Sequence, residues 1–322
     1  MQAIVYQHYG SPEVFKLKEV ERLIPKPKEV LVRVYATTAT AADIMMRKGR
    51  PYIGRLYTGL KGPKRIVPGF EFAGQVVATG KDVTLFKMSD KVFGGTTRLG
   101  CYAEYVCVNE NDVITTMPPN TSYTEAAPIT GSAITVMNFL KGLGKIKAGD
   151  KVLINGASGA LGTYAVQIAK HYGAEVTAVC SRSNLGLVKI LGAHDAIDYT
   201  TTDFTKNGIL YDIIFDTVGK NSFTACKNSL TKNGVYLSAV ISLPLFMQII
   251  WSSITNGKKA KSSATGMLPV KTRLNYLAEL KVLLNTGKIQ TIIDHHYPLF
   301  MAAEAHEYVE SGHKTGSVVI TV

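Results

Sequence analysis

The run INGASGALG at residues 154–162 constrains the fold of this 322-residue chain more than any other stretch. Gly156, Gly159 and Gly162 recur directly after the apolar run VLI and directly before a helical pattern. In that pattern Leu161, Ala165, Ile168, Ala169 and Tyr172 fall on one face at helical spacing. Strand, glycine turn and amphipathic helix in that order begin a βαβ unit, and such units build parallel sheets. The turn also carries chemistry. A dinucleotide pyrophosphate needs backbone N–H groups aimed at it from a helix N-terminus, with no Cβ in the way. Gly156, Ser158, Gly159, Ala160, Leu161 and Gly162 are therefore the candidate phosphate cradle. Three glycines at this spacing are a weak signal alone; their place between strand and helix strengthens it.

The end of the unit's second strand discriminates between cofactors. VTAVC (176–180) runs into Ser181, Arg182, Ser183 and Asn184, and no acid occurs until Asp195. A site selective for NAD places Asp or Glu there, to bond the ribose 2′-hydroxyl. A cation flanked by hydroxyls suits a 2′-phosphate instead, so the expected cofactor is NADPH.

Beyond residue 184 the β/α alternation continues, with YDIIFDTVG (211–219) and GVYLSAV (234–240) as strands and LGLVKILGA (185–193) and SFTACKNSL (222–230) as helices. Before about residue 123 the chain is rich in turns and strands, led by the alternating EVLVRVYATTA (29–39). TEAAPITGSAITVMNFLKGLG (124–144) has helical spacing, with Thr124 as the expected N-cap. The length suits two domains rather than one core.

Composition narrows the class. With 46% hydrophobic and 19% charged residues this is an ordinary globular chain. Its four cysteines show no C-x-x-C spacing, and they read as small buried residues of a reducing compartment. No secretory signal and no apolar run of transmembrane length is visible, so the expected location is cytoplasmic. The net charge of +12 reads as a solvated surface, with no nucleic-acid partner expected. Two features keep a weak peripheral membrane contact open: the acid-free cluster at 47–65, with seven Lys and Arg, and the apolar segment 239–254 with Lys258, Lys259 and Lys261 just beyond it.

Several motifs in order, TATAADIMMRKG (38–49), PGFEFAG (68–74), GCYAEYV (100–106), KAGDKVLINGASGALGTYAVQIAK (147–170), LGAHDAIDY (191–199) and ESGHKTGSVVI (310–320), together resemble the medium-chain dehydrogenase/reductase superfamily. The resemblance is to its zinc-independent, quinone oxidoreductase-like branch and runs over nearly the whole length. It implies an α/β protein: a GroES-like, partly open β-barrel catalytic domain (1–127 and 268–322) plus a Rossmann doubly wound parallel-sheet domain (128–267). The zinc-dependent relatives hold their metal with Cys, His and Cys, at places that correspond here to Thr40, Phe70 and Gly131. Threonine, phenylalanine and glycine are poor or impossible zinc ligands. The relay hydroxyl of those relatives falls at Ala42, which has none. The resemblance therefore implies an enzyme that passes hydride from NADPH, without a metal, to small quinones or α,β-unsaturated carbonyls. An enoyl-thioester reductase is the rival, and a low-turnover cofactor-binding protein at a membrane surface or on nucleic acid is the reading from another class.

By the same resemblance Thr135 contacts the nicotinamide, while Val218, Gly219, Ser238 and Ala239 border the cofactor. Tyr199 packs near the 2′-phosphate with Ser181 and Arg182. Thr40 and Phe70 line the substrate pocket. Tyr52 is the candidate to hold or protonate a carbonyl oxygen, Asp43 and Glu71 orient their loops, and a homodimer is expected.

Overall fold

Glu29–Ala39 is the longest strand, and nearly all of it is buried, with only Arg33 exposed and Tyr35 half-buried. In this computed structural model, which describes the backbone of all 322 residues and every side chain except those of Ile53 and Tyr57, that strand organises the first of two units. The first unit comprises Met1–Gly131, Pro269–Thr286 and Thr291–Val322; the second comprises Ser132–Leu268 and Gly287–Gln290.

In the first unit, seven strands form one sheet. Its path runs Ile293–Pro298, Ser317–Thr321, Glu29–Ala39, Glu71–Thr79, Lys91–Gly95 and Val113–Thr116, with Tyr105–Asn109 paired to Glu29–Ala39 as well. All pairings are antiparallel except that of Ile293–Pro298 with Ser317–Thr321. Double pairing of one long strand curls the sheet toward a barrel. Its interior is filled by Val30, Val32, Val34, Phe72, Val76, Val92, Val106 and Ile114. Burying an aliphatic or aromatic side chain of this kind contributes roughly 1.5–3 kcal/mol each.

The second unit holds a six-stranded, wholly parallel sheet. Its strand order is Asp195–Asp198, Glu175–Cys180, Lys151–Asn155, Tyr211–Asp216, Leu230–Ser238 and Lys259–Lys261. That is the doubly wound order 3-2-1-4-5-6, in which ligands sit at the carboxyl ends of the strands where the winding reverses. Leu153, Val179, Tyr211, Ile214, Phe223, Leu230 and Tyr236 pack one side of the sheet.

Two expectations are corrected, the continuous helix from Thr124 and the burial of all four cysteines. The continuous helix from Thr124 is instead a series of pieces: α-helix Tyr123–Ala126, a 3-10 turn Ala127–Ile129, α-helix Ser132–Met137 and a π-helical stretch Asn138–Gly144. The N-cap is Ser122, in a capping box with Glu125, because Ser122 is the residue left extended before the first turn. Pro128, lacking an N–H, and Gly131 then interrupt the helical run.

Part of the basic cluster at 47–65 is engaged within the fold, while Arg50, Lys61, Lys64 and Arg65 are exposed. Arg47 is buried and pairs with Glu310, which also binds Lys48 at 2.6 Å. Arg55 lies over the Tyr9 ring and donates to the Gly49 carbonyl. Lys259 and Lys261 donate to the carbonyls of Ser252 and Leu143, which positions their ammonium groups without neutralising them. Of the four cysteines Cys101, Cys180 and Cys226 are buried, but Cys107 is only half-buried.

Candidate functional site

At the glycine turn the three glycines stand for three different reasons. Gly156 ends its strand at φ +79°, and a Cβ there would lie 2.4 Å from Val218 and 2.5 Å from Thr217. Gly162 lets the helix approach the turn, since its Cβ would lie 2.1 Å from the Gly156 carbonyl oxygen. Gly159 is different: the nearest protein atom to its Cβ position is at an ordinary 3.5 Å. The protein itself does not demand a glycine there, whereas a phosphate approaching the backbone does. Gly159 is also the N-cap of the helix Ala160–His171 and offers no side-chain cap. The first-turn N–H groups of Ala160, Leu161 and Gly162 therefore face outward with the positive end of the helix dipole. Ser158 sits on the turn just before them. These residues fit a dinucleotide pyrophosphate.

The loop opposite is held by one carboxylate. Asp216, at the end of its strand, has no exposed surface, and its Oδ1 accepts from Val218 N, Gly219 N and Asn155 Nδ2 at 3.0 Å each. Its Oδ2 accepts from Tyr236 Oη at 2.9 Å and Asn221 N at 3.2 Å. Five donors on one carboxylate fix the Thr217–Asn221 loop against the glycine turn. The sequence pattern marked YDIIFDTVG as a strand and missed this role; an acid closing an otherwise apolar strand was the available signal. Ser238 is buried and donates to the Val240 carbonyl, and Ala239 donates its N–H to the Asp216 carbonyl. Thr135 is half-buried on its helix.

At the second strand's end, Ser181 and Ser183 hydroxyls meet at 3.1 Å and Asn184 donates to Ser181. Arg182 is 82% exposed, but it is not alone: its Nε lies 3.4 Å from Asp198 Oδ2. The neighbouring strand runs parallel in register, so Asp198 stands beside Cys180. The absence of a nearby acid in the linear sequence thus does not hold in space. Two bonds from Thr200, with a smaller contribution from Arg182, hold the Asp198 carboxyl below its ordinary range. Tyr199 comes next in the chain, exposed.

In the first unit, Thr40 caps the helix Ala41–Lys48 in a box with Asp43. Its hydroxyl donates to Asp43 Oδ2 at 2.5 Å and accepts from Asp43 N at 3.2 Å. Phe70 is half-buried, and its carbonyl accepts from Thr96 N. Buried Glu71 accepts from the Thr38 hydroxyl at 3.0 Å and from the Gly131 N–H. Burial, then the nearby Asp43 charge, pushes its carboxyl well above the usual range. A Cβ on Gly131 would fall 1.5 Å from Glu71 Oε1. The carboxylate fills the volume where a side chain at 131 would begin. Among the described residues, no three His, Cys, Asp or Glu side chains converge as a metal site. Tyr52 is 65% exposed, with the guanidinium groups of Arg50 and Arg55 at 5.6 and 4.9 Å from its ring centre.

Comparison with known proteins bears on both units. Residues 26–119 match the alcohol dehydrogenase GroES-like domain family, and residues 191–320 match the family described as zinc-binding dehydrogenase. The chain belongs to the medium-chain dehydrogenase/reductase superfamily, in its zinc-independent, quinone oxidoreductase-like branch. It is an oxidoreductase of nicotinamide dinucleotides. Among its relatives, the spinach (Spinacia oleracea) chloroplastic quinone-oxidoreductase homolog is 31% identical over 99% of this chain and 98% of the relative. An Arabidopsis thaliana chloroplastic NADPH-dependent alkenal/one oxidoreductase is 30% identical over 99% of this chain and 79% of its own length. Among solved structures, the quinone oxidoreductase of Coxiella burnetii superimposes with a TM-score of 0.88 at 28% identity, covering 100% of this chain and 99% of that one. Among the described residues no helix is long and apolar enough to cross a membrane.

Proposed function

We propose that this chain is a metal-independent reductase that prefers NADPH and delivers hydride to quinones or α,β-unsaturated carbonyls. The observation that carries the reading is at Gly131, which has no side chain to ligate a metal and packs against the Glu71 carboxylate. Thr40 and Phe70 add no ligand to replace it. Without a Lewis acid, a simple aldehyde or ketone oxygen is left unpolarised. Quinones and conjugated enones delocalise the incoming charge themselves. The names of the spinach and Arabidopsis relatives support that acceptor class.

A bound reduced nicotinamide supplies the hydride. The N–H groups of Ala160, Leu161 and Gly162 hold the pyrophosphate, with Gly156, Ser158 and Gly159 keeping the approach clear. Arg182, Ser181 and Tyr199 take the 2′-phosphate. Val218, Gly219, Ser238, Ala239 and Thr135 border the rest of the cofactor. Thr40 and Phe70 line the acceptor pocket, where Phe70 excludes water. Tyr52 holds the acceptor's carbonyl oxygen and supplies its proton, the ring kept in place by Arg50 and Arg55.

A screen of NADPH oxidation against quinones, alkenals and enoyl thioesters, each in EDTA, tests the reading. Turnover with the first two classes is expected. Turnover confined to enoyl thioesters, or to simple aldehydes on addition of zinc, would overturn it.

A further inference from the structure

The helix Leu243–Ile254 is built inside out. Its buried face carries Leu245 and Ser252, and the Ser252 hydroxyl accepts from Ala260 N while donating to the Ile249 carbonyl. Its outer face carries Leu243, Phe246, Met247, Ile250, Trp251 and Ile254, all exposed. Leu243, Trp251 and Ile254 are 77%, 65% and 76% exposed. These six recur at i, i+3, i+4, i+7, i+8 and i+11, which is the spacing of one continuous apolar stripe. A stripe of this kind on a monomeric surface marks a partner.

Charge identifies which partner. From Thr217 to Leu268 the chain has six lysines and no Asp or Glu. Lys220, Lys227 and Lys232 are exposed. Lys258 donates to the Lys227 carbonyl and Lys259 to the Thr255 carbonyl, which gathers cations at the C-terminal end of the stripe. Lys220 comes directly after Gly219 in the loop that borders the helix's first turn. Two copies meeting at this face would bring the exposed lysines that flank the stripe toward one another, and like charges oppose that association. An anionic bilayer offers the opposite: hydrocarbon for the stripe and negative headgroups for the lysines.

We infer that the helix Leu243–Ile254 is an interfacial anchor that docks this enzyme on anionic lipid surfaces, lying in the headgroup plane. The twelve-residue helix is too short to span, so the contact is peripheral and reversible. The inference does not depend on which acceptor the enzyme reduces.

Trp251 is the only tryptophan, so its emission reports on this face alone. Phosphatidylcholine vesicles containing phosphatidylglycerol should shift the emission to the blue, and lipids brominated on the acyl chain should quench it. High salt should reverse both effects, and pure phosphatidylcholine should produce neither. The variant F246E/I250E, changed only at exposed positions and checked for an unaltered melting temperature, should bind anionic vesicles at least about tenfold more weakly. Unchanged emission with anionic vesicles overturns the inference. So does emission already blue-shifted without lipid that moves to the red on dilution as a dimer dissociates, because a second copy then covers the stripe.

Discussion

Beside Cys180 stands Arg182, the cation we propose distinguishes NADPH from NADH. Arg182 leans on Asp198 at 3.4 Å, so a 2′-phosphate has to compete with a carboxylate that holds part of the guanidinium. Arg182 is largely exposed while Asp198 is mostly buried, so water screens the pair only in part. A charge-assisted bond to phosphate is worth roughly 1.5–3 kcal/mol, and the prior pairing moves the effect toward the lower end. Arg182→Ala should therefore weaken NADPH about tenfold and leave NADH nearly unchanged. Comparison of kcat/KM for both cofactors in wild type and variant measures this. Equal losses for the two would show that Arg182 does not read the phosphate. The pairing itself was illegible in the sequence: Asp198 lies in a different strand, and only the parallel register brings it beside Cys180.

Among the elements, the helix Ala41–Lys48 has an N-terminal box that makes stability depend on pH. Burial pushes the Asp43 carboxyl up to about 7, against the hydrogen bonds from Thr40 that favour its charge. Its Oδ1 is buried without a partner, a place suited to the retained proton. In the unfolded chain the same carboxyl titrates near ~3.9. Between about pH 4 and about 7 the folded chain keeps a proton that the unfolded chain has released, so this contribution is full below about pH 4 and is lost as pH rises. Buried His306 acts in the opposite sense. Its value is pushed down to about 3 by burial, then by Arg47, so its contribution is lost as pH falls below ~6.5. The two partly cancel in the wild type, and a difference profile separates them. Melting temperatures of Asp43→Asn and wild type should diverge in the variant's favour as pH rises from about 4 to about 7. Parallel profiles would mean that Asp43 is not protonated in the folded protein. At this scale the sequence was legible where apolar spacing and a local cap decide the outcome, as in Ala160–His171. It failed for residues 123–144, where the spacing is helical throughout. There Pro128 and the demand of Glu71 on the Gly131 N–H break the helix, and neither the strand carrying Glu71 nor its rotamer is written in that stretch.

For the whole chain, the parallel sheet was readable because strands buried on both faces are apolar runs bounded by turns, and their alternation with helices leaves one winding. What the sequence could not show was which charges are free. Arg47 reads as one member of a basic cluster, yet it is buried against Glu310, 263 positions away. The lack of zinc-ligand side chains at Thr40, Phe70 and Gly131, by contrast, was readable residue by residue. Replacing Gly131 by cysteine would place a Cβ 1.5 Å from Glu71 Oε1, so the Glu71 side chain would have to move, and the thiolate would still be a single ligand. Thr40 is committed to Asp43, and Phe70 has no lone pair to donate. Zinc held by three protein ligands survives purification and is released, with loss of activity, by chelators. Elemental analysis of the purified protein should therefore find no stoichiometric zinc, and NADPH-dependent reduction and melting temperature should be the same with and without EDTA. About one zinc per chain, with activity lost on its removal and regained on its return, would contradict the donor set that Thr40, Phe70 and Gly131 present.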